Sequence, residues 1–417
     1  MKQGDIMFIK ELTNDEFKKF TKNYNISSIY QTVEYGLVMN HQNYSTMFLG
    51  LCDQSGILAA SLILVEQKNK FKYAYAPRGF LIDYNNTNLL KIFTEEIKKY
   101  LSKKGIVAVK ISPLVVKSIY DKKYDINANN QYFNNIMNNL KNLGYYHFGF
   151  NNFFEALKPR YEAIIDLDLP YYMLFHNIRK EIRTKIRSAE RNGVKVYSGN
   201  ENNLEYLYLQ TSKKYPRDLA YFKDCYQYFT NSNKIEFFFT KLDTAKYLKS
   251  VTKKYQEQEK ICNYWNDQLS KNNKKNTLNN KMYADKLMDY YKKQLIKATN
   301  YLKNYPDGIV TSSILVAIQN KEAYVLMDGY DNKYKVLNSK HLLIWKLIER
   351  YSKAGIKKFN LGGMTNPKQL EYKGLNDFKL NFNAKCIEYI GDLELVTNNA
   401  LYFMYRNSLS FKKILKK

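Results

Sequence analysis

The sequence has no apolar run long enough to cross a membrane. Its longest, Gly56 to Val65, is about half the ~20 residues a spanning helix needs, so any membrane contact is expected to be peripheral. Cysteine is scarce and scattered. Cys52, Cys225, Cys262 and Cys386 form no CxxC pair, which argues against a zinc site or a disulfide framework and fits a reducing cytoplasm. The histidines His41, His147, His176 and His341 show no ligand spacing and read as surface or packed residues rather than catalysts. Neither a metal nor a cofactor is expected. The first twenty residues carry Lys2, Asp5, Lys10 and Glu11 around no apolar stretch, so no signal peptide is expected.

The common nucleotide and hydrolase signatures are missing too. There is no Walker A loop, GxSxG elbow, HExxH helix or GxGxxG turn, which removes the sequence basis for the chemistries they serve. Acidic residues are also short. Asp and Glu number 39 against 66 Lys and Arg, a formal net charge of +27. A codon bias toward lysine competes as an explanation. The size of the excess points to a polyanion: nucleic acid, an anionic membrane surface or a pyrophosphate-bearing substrate.

What is present is an α/β pattern used twice. The 417 residues are 45% hydrophobic and 15% aromatic, enough for two or three cored units. Gly56–Val65 is similar to Gly308–Ala317, and Ser102–Ile111 is similar to Ser352–Leu361, in the same order and at nearly the same offset. Each copy predicts an apolar strand and then a second strand (Lys72 to Ala76; Ala323 to Met327). A helix follows (Leu89 to Lys103; Lys340 to Lys353), stopped near Gly105 or Gly355, before a further strand. Leu342, Leu343, Trp345, Leu347 and Ile348 make the second helix amphipathic.

A helical arm precedes the second copy. No glycine or proline occurs from Arg217 to Tyr305. Leu248, Val251, Tyr255, Cys262, Trp265 and Leu269 fall on 3/4 spacing, with Gln258 at the remaining seam position. After a polar break at Lys271 to Asn280, Ala284, Met288, Tyr291, Leu295, Ala298 and Leu302 continue the pattern. Two such helices predict an antiparallel coiled-coil hairpin over 243–303. Fifteen lysines and six acidic residues lie between Lys241 and Lys303, either as a solvated arm or as a tRNA or membrane contact. A second basic stretch puts Arg179, Arg183 and Arg187 on a helix ending at Gly193. The basic, apolar tail from Arg406 can dock on the first lobe or lie on lipid.

A doubled unit of this kind suits an acyltransferase of the acetyltransferase type, but no loop of form Q/R-x-x-G-x-G/A cradles a coenzyme A pyrophosphate. The nearest glycine pair, Gly362 and Gly363, leads into Met364, Thr365, Asn366 and Pro367. An already activated donor ester needs little acid–base machinery, only alignment and oxyanion stabilisation.

Four segments resemble the Fem family of aminoacyltransferases, which build peptidoglycan interpeptide bridges. SIYQTVEYG (28–36) is similar to F-x-Q-[ST]-x-x-W-[GA]. YAPRGFLID (75–83) is similar to Y-x-P-R-G-P-x-x-D. GIKKFNLGG (355–363) is similar to G-x-x-x-[FY]-[DN]-[FL]-G-G. GLNDFKLNF (374–382) is similar to G-L-x-x-F-K-x-x-[FY]-G. Ile29, Tyr35, Phe80 and Asn383 depart from the pattern. Leu37, Val38 and Met39 stand where some members carry a phosphate-binding lysine.

The resemblance implies an α/β (α+β) fold of two tandem acetyltransferase (GNAT)-like lobes plus the coiled-coil hairpin. Lobe one spans 1–160, completed by 384–417, and lobe two spans 161–383. It implies an aminoacyl-tRNA donor and a stem-peptide amine of lipid II or its nucleotide precursor as acceptor, in the cytoplasm against the inner membrane leaflet. Lys379, with Phe378, is placed at the donor ester. Arg78 either holds an acceptor anion or is a turn residue paired with Asp83. Tyr75, Asp83, Arg217 and Tyr330 are further substrate candidates, and Arg179, Arg183 and Arg187 are tRNA candidates. The alternatives are an acyl-CoA-dependent enzyme of the acetyltransferase fold and a non-catalytic tRNA- or membrane-binding relative.

Overall fold

The computed structural model describes residues 7–414 apart from 27, 69, 213–216, 233 and 273, and leaves out the side chains of Lys68 and of residues 409–414. The doubled unit is there. Gly56–Lys68 pairs antiparallel with Phe71–Ala76, which pairs parallel with Ile106–Ile111. Ile309–Gln319, Glu322–Tyr330 and Lys358–Met364 repeat that antiparallel-then-parallel order. The parallel step needs a crossover, supplied by the helices Thr87–Lys103 and Ser339–Lys353. Each helix is followed by a glycine at φ +75°, Gly105 or Gly355, the left-handed conformation that ends a helix at low steric cost. The five apolar residues predicted for the second crossover helix are all buried.

The sheets interleave more than the expected boundaries allow. The first has seven strands in the order Phe8–Glu11, Ser45–Asp53, Gly56–Lys68, Phe71–Ala76, Ile106–Ile111, Leu393–Val396, Tyr145–His147. Leu393–Val396 lies in this first sheet. Lys385–Tyr389, expected in lobe one, instead sits in the nine-stranded second sheet. It lies between Tyr161–Asp166 and Val116–Tyr120, antiparallel to both. Val116–Tyr120 and Ile126–Asn129, also expected in lobe one, close the edge of the second sheet. These strands are held there by burial and charge: Cys386 and Ile387 are buried, and Glu388 is ion-paired with buried Arg160. A shared core joins the lobes as well. Phe17, Tyr30 and Leu62 from the first pack in one cluster with Phe222, Phe237 and Tyr324 from the second.

The arm is an antiparallel pair, Thr244–Lys271 and Lys275–Asn304. Asp243 caps the first helix through Lys246 N at 2.9 Å. Buried Gln258 fills its seam position and donates to Ala284 O at 3.0 Å, so a polar residue is satisfied inside the seam. The polar break is shorter than expected, because the second helix starts at Lys275. Polarity there marks exposure, and without Gly or Pro nothing stops the helix. The root of the arm belongs to the second lobe's core, since Tyr247, Val251 and Ala298 are buried within it. The C-terminal helix Asn399–Ile414 docks on the first sheet through buried Tyr405, beside Val107, Ala108 and Tyr73.

Candidate active site

A cleft of about 660 Å³ opens beside the second sheet, with Tyr30 contributed by the first lobe. Lys379, Phe378, Arg217 and Tyr330 all line it. The lining carries five Lys or Arg (158, 217, 335, 340, 379) and one acid, Asp328, which pairs with Lys340. A wall so cationic suits an anionic substrate.

Lys379 lies near the end of the short helix Lys373–Leu380. That helix is pinned to the strand Lys358–Met364 by buried Asn376. The Asn376 side chain donates to Thr365 Oγ1 at 3.0 Å and accepts from Thr365 N at 3.2 Å. Lys379 Nζ donates to Leu361 O at 2.7 Å and Gly363 O at 2.6 Å, which commits two of its three N–H groups. The strand presents those carbonyls because it is irregular. Its register shifts between Asn360 and Gly363, and Gly362 sits at φ +76°. A Cβ on Gly363 would lie 2.7 Å from Pro159 Cγ, so the second glycine is set by close packing. The glycine pair thus turns carbonyls toward a cation and does not cradle an anion. Burial lowers the Lys379 pKa to about 8, with Asp328 opposing and Lys340 adding to the shift, so the group remains mainly charged at neutral pH.

Phe378 is half-buried beside it. Its ring is 5.2 Å from the His341 ring and 4.7 Å from Lys340 Nζ. His341 also lines the cleft. Burial, then Lys185 and Lys340, lowers its pKa to about 4, so it is neutral, and its Nδ1 is buried without a hydrogen-bond partner. Arg217 lies over the Tyr221 ring at 4.5 Å.

The remaining expected substrate residues lie elsewhere. Arg78 is buried and does not line the cleft. Its Nη2 donates to Glu162 Oε1 at 2.6 Å and to Pro159 O at 2.8 Å, and its guanidinium lies over Tyr389. Burial, the largest influence, opposes its charge, but Glu162 together with Tyr324, Tyr389 and Tyr75 outweighs it and the pKa is raised. Both expected roles give way to a tie between lobes, because a buried guanidinium needs a buried carboxylate. Asp83 is exposed and accepts from Asn85 N at 2.9 Å, so it shapes a turn. Tyr75 Oη bonds Ser112 Oγ at 2.9 Å, and that oxygen accepts from Arg78 N at 3.1 Å. The first two motifs clamp each other. Gln31 donates to Pro77 O at 2.7 Å and accepts from Leu62 N at 2.8 Å.

Arg179, Arg183 and Arg187 run at one-turn intervals along and just before the helix Lys180–Arg191, outside the cleft. Arg179 Nη1 donates to Asn381 Oδ1 at 3.1 Å, so the ridge starts beside the helix that carries Lys379. Arg183 Nε is buried without a partner, and Arg187 covers Phe175.

Sequence reasoning missed Lys158. Its ammonium stands 3.2 Å from the centroid of Tyr30 and 5.4 Å from that of Tyr35, and among the described residues no carboxylate pairs with it. Burial, then Arg78 and Arg217, holds its pKa well below the lysine range. Its signal was the K-P-R-Y run at 158–161, which no local pattern links to Tyr30.

The two interleaved α/β lobes, the helical arm and the cationic cleft define a class of protein that comparison with known chains makes specific. A profile of the FemAB family matches residues 12–408. The Staphylococcus haemolyticus protein named "Lipid II:glycine glycyltransferase" is 24% identical, over 94% of this chain and 93% of that protein. The Staphylococcus aureus "Aminoacyltransferase FemA" is 25% identical, over 96% and 97%. The solved structure titled "Crystal structure of FemX" superposes with a TM-score of 0.72 at 21% identity, covering 95% of this chain and 99% of that one. This chain belongs to the FemAB family.

Proposed function

We propose that this chain transfers an aminoacyl group from aminoacyl-tRNA to the stem-peptide amine of a peptidoglycan precursor, lipid II or its nucleotide-linked form. The relatives' names support the transferase class and the precursor. The observation that carries the reading is Lys379, an ammonium held by two carbonyls at the cleft wall. In the step proposed, the neutral acceptor amine attacks the ester carbonyl carbon, the C–N bond forms, the bond to the ribose oxygen breaks, and one proton passes from the nitrogen to that departing oxygen. Lys379 meets the charge that builds on the carbonyl oxygen. Lys158 and Arg217 are the cations available for the anionic groups of the acceptor. The ridge Arg179, Arg183 and Arg187 offers phosphate contacts leading toward Lys379.

The reaction belongs at the cytoplasmic face of the membrane, with peripheral contact. Among the described residues no helix is long and apolar enough to cross a bilayer. The test is to incubate the chain with lipid II, total tRNA, synthetases and each labelled amino acid, then weigh the product. A mass gain of one residue that needs tRNA supports the reading; no gain with any amino acid on either acceptor form contradicts it.

A further inference from the structure

An aromatic surface at the edge of the cleft takes no part in the chemistry described above. Between the strands Tyr145–His147 and Tyr161–Asp166 the chain runs without helix or strand. Tyr146 (63%), on the first of these strands, and Phe148, Phe150, Phe154 and Leu157 (68%), on the connection, are exposed. A second segment adds Leu370 (82%) and Tyr372. They form two ring clusters on backbone segments that are tied to each other. Tyr146 and Phe148 pack at 5.3 Å, and Tyr372 packs 5.9 Å from Phe153 and 6.1 Å from Phe154. Asn366 N donates to Asn152 O at 2.7 Å, tying the two segments.

The backbone beneath is held. Arg160 Nη1 donates to Asn151 O at 2.6 Å, and Gly149 N to His147 Nδ1 at 3.2 Å. Rings on a fixed backbone that face water are unfavourable unless something covers them, and contiguous patches of this kind mark interaction sites. Ammonium groups accompany the rings, although each is paired with a carboxylate: Lys110, 4.4 Å from Phe148, pairs with Asp392, and Lys117, 4.4 Å from Phe150, pairs with Glu388. Exposed Lys141 and Lys368 flank the patch, with Glu155 and Glu371 the carboxylates on the same segments. Aromatic rings beside lysines suit the boundary between headgroups and acyl chains.

Position selects the occupant. Phe154 and Leu157 line the cleft, so the patch continues into its mouth. A lipid-linked acceptor must place its amine in the cleft while its chain stays in the bilayer, which requires the mouth to lie against the membrane. We propose that residues 146–157, with Leu370 and Tyr372, form a docking surface that seats the mouth of the cleft on a phospholipid bilayer. This rests on the lipid-linked form of the acceptor proposed above.

The test uses the full chain and a triple variant, Tyr146→Ser, Phe148→Ser, Leu370→Ser, none of which lines the cleft. Binding is read by co-sedimentation with vesicles of equal phosphatidylglycerol and phosphatidylcholine. Transfer is read on lipid II in those vesicles and on a water-soluble acceptor. Losing three interfacial side chains should weaken vesicle binding about tenfold or more and lower transfer to lipid II in step. Transfer to the soluble acceptor and the melting temperature should hold. Equal vesicle binding by both proteins, or no binding by the unaltered chain, overturns the proposal. A parallel loss on the soluble acceptor overturns it as well, because the patch would then serve the cleft or a protein partner. If the unaltered chain transfers nothing to either acceptor, the proposed function fails, and the sedimentation result alone decides the surface.

Discussion

Arg78 Nη2 meets Glu162 Oε1 at 2.6 Å with both side chains buried, and that contact ties a loop of the first lobe to the second sheet. Glu162 is shared further. It accepts from Tyr324 Oη at 3.1 Å and from Asn360 Nδ2 at 2.9 Å. Removing one member strands the other's charge, at a typical cost of about 3–5 kcal/mol. Arg78→Met should therefore lower unfolding stability by roughly that much in a denaturant titration. A variant of unchanged stability but raised KM would make Arg78 a substrate contact instead.

The arm divides into a root and a tip. The root packs Tyr247, Val251 and Ala298 into the second lobe, whereas the seam from Gln258 to Ala284 lies farther out. Replacing residues 256–287 with a short Gly/Ser linker should leave thermal stability nearly unchanged. Replacing the whole of 243–303 should destabilise the chain strongly, because the buried Tyr247, Val251 and Ala298 are lost and removing a large core side chain costs about 2–5 kcal/mol. If only the shorter deletion unfolds the chain, this division is wrong. Where the tip contacts tRNA, the short deletion lowers affinity for the donor.

Lys158 stands over Tyr30 at the cleft wall, and among the described residues no carboxylate pairs with it, so an anionic group of the acceptor would favour its charged form. Lys158→Met should raise the KM for the acceptor about 10–100-fold, the size of a charge-assisted contact of ~1.5–3 kcal/mol, with kcat little changed. Lys158→Arg keeps the cation and should recover much of that loss. A fall in kcat that Arg does not rescue would contradict a binding role.

The parts legible in the sequence are those written in local periodicity. The repeated strands, the crossover helices and the glycines at 105 and 355 carry their own signals, as does the Gln258 seam. The parts that were not legible depend on partners far along the chain. Nothing near residue 385 shows that Lys385–Tyr389 pairs between strands that start at 116 and 161. Arg78 was read against nearby Asp83, while its partner lies 84 residues away. At the site, the four motifs led to Lys379 and Phe378. Asn376, which pins their helix to Thr365, and Lys158, which reaches Tyr30 from the irregular segment before Tyr161, become visible only in the folded chain.

Burial places the Lys379 pKa at about 8, against an ordinary value of 10.5. The folded chain thus binds fewer protons here than the unfolded chain between those values. This site's contribution to stability therefore rises with pH across that window. Activity runs the other way, because the proposed role needs the charged form. The transfer rate should fall as pH climbs through about 8, and Lys379→Met should lack that alkaline limb. An identical limb in both proteins assigns the titration to another group.

Single-turnover transfer by Lys379→Met, with donor and acceptor saturating, tests the central claim most directly. The substitution keeps the buried stem and removes the ammonium. Loss of one oxyanion donor typically costs about 2.7–4 kcal/mol, or ~10²–10³ in rate. The account predicts a fall of that size, acceptor affinity nearly unchanged, and poor rescue by Lys379→Arg, whose planar fork does not fit between Leu361 O and Gly363 O. A Lys379→Met rate within a few-fold of the unaltered chain would contradict the account.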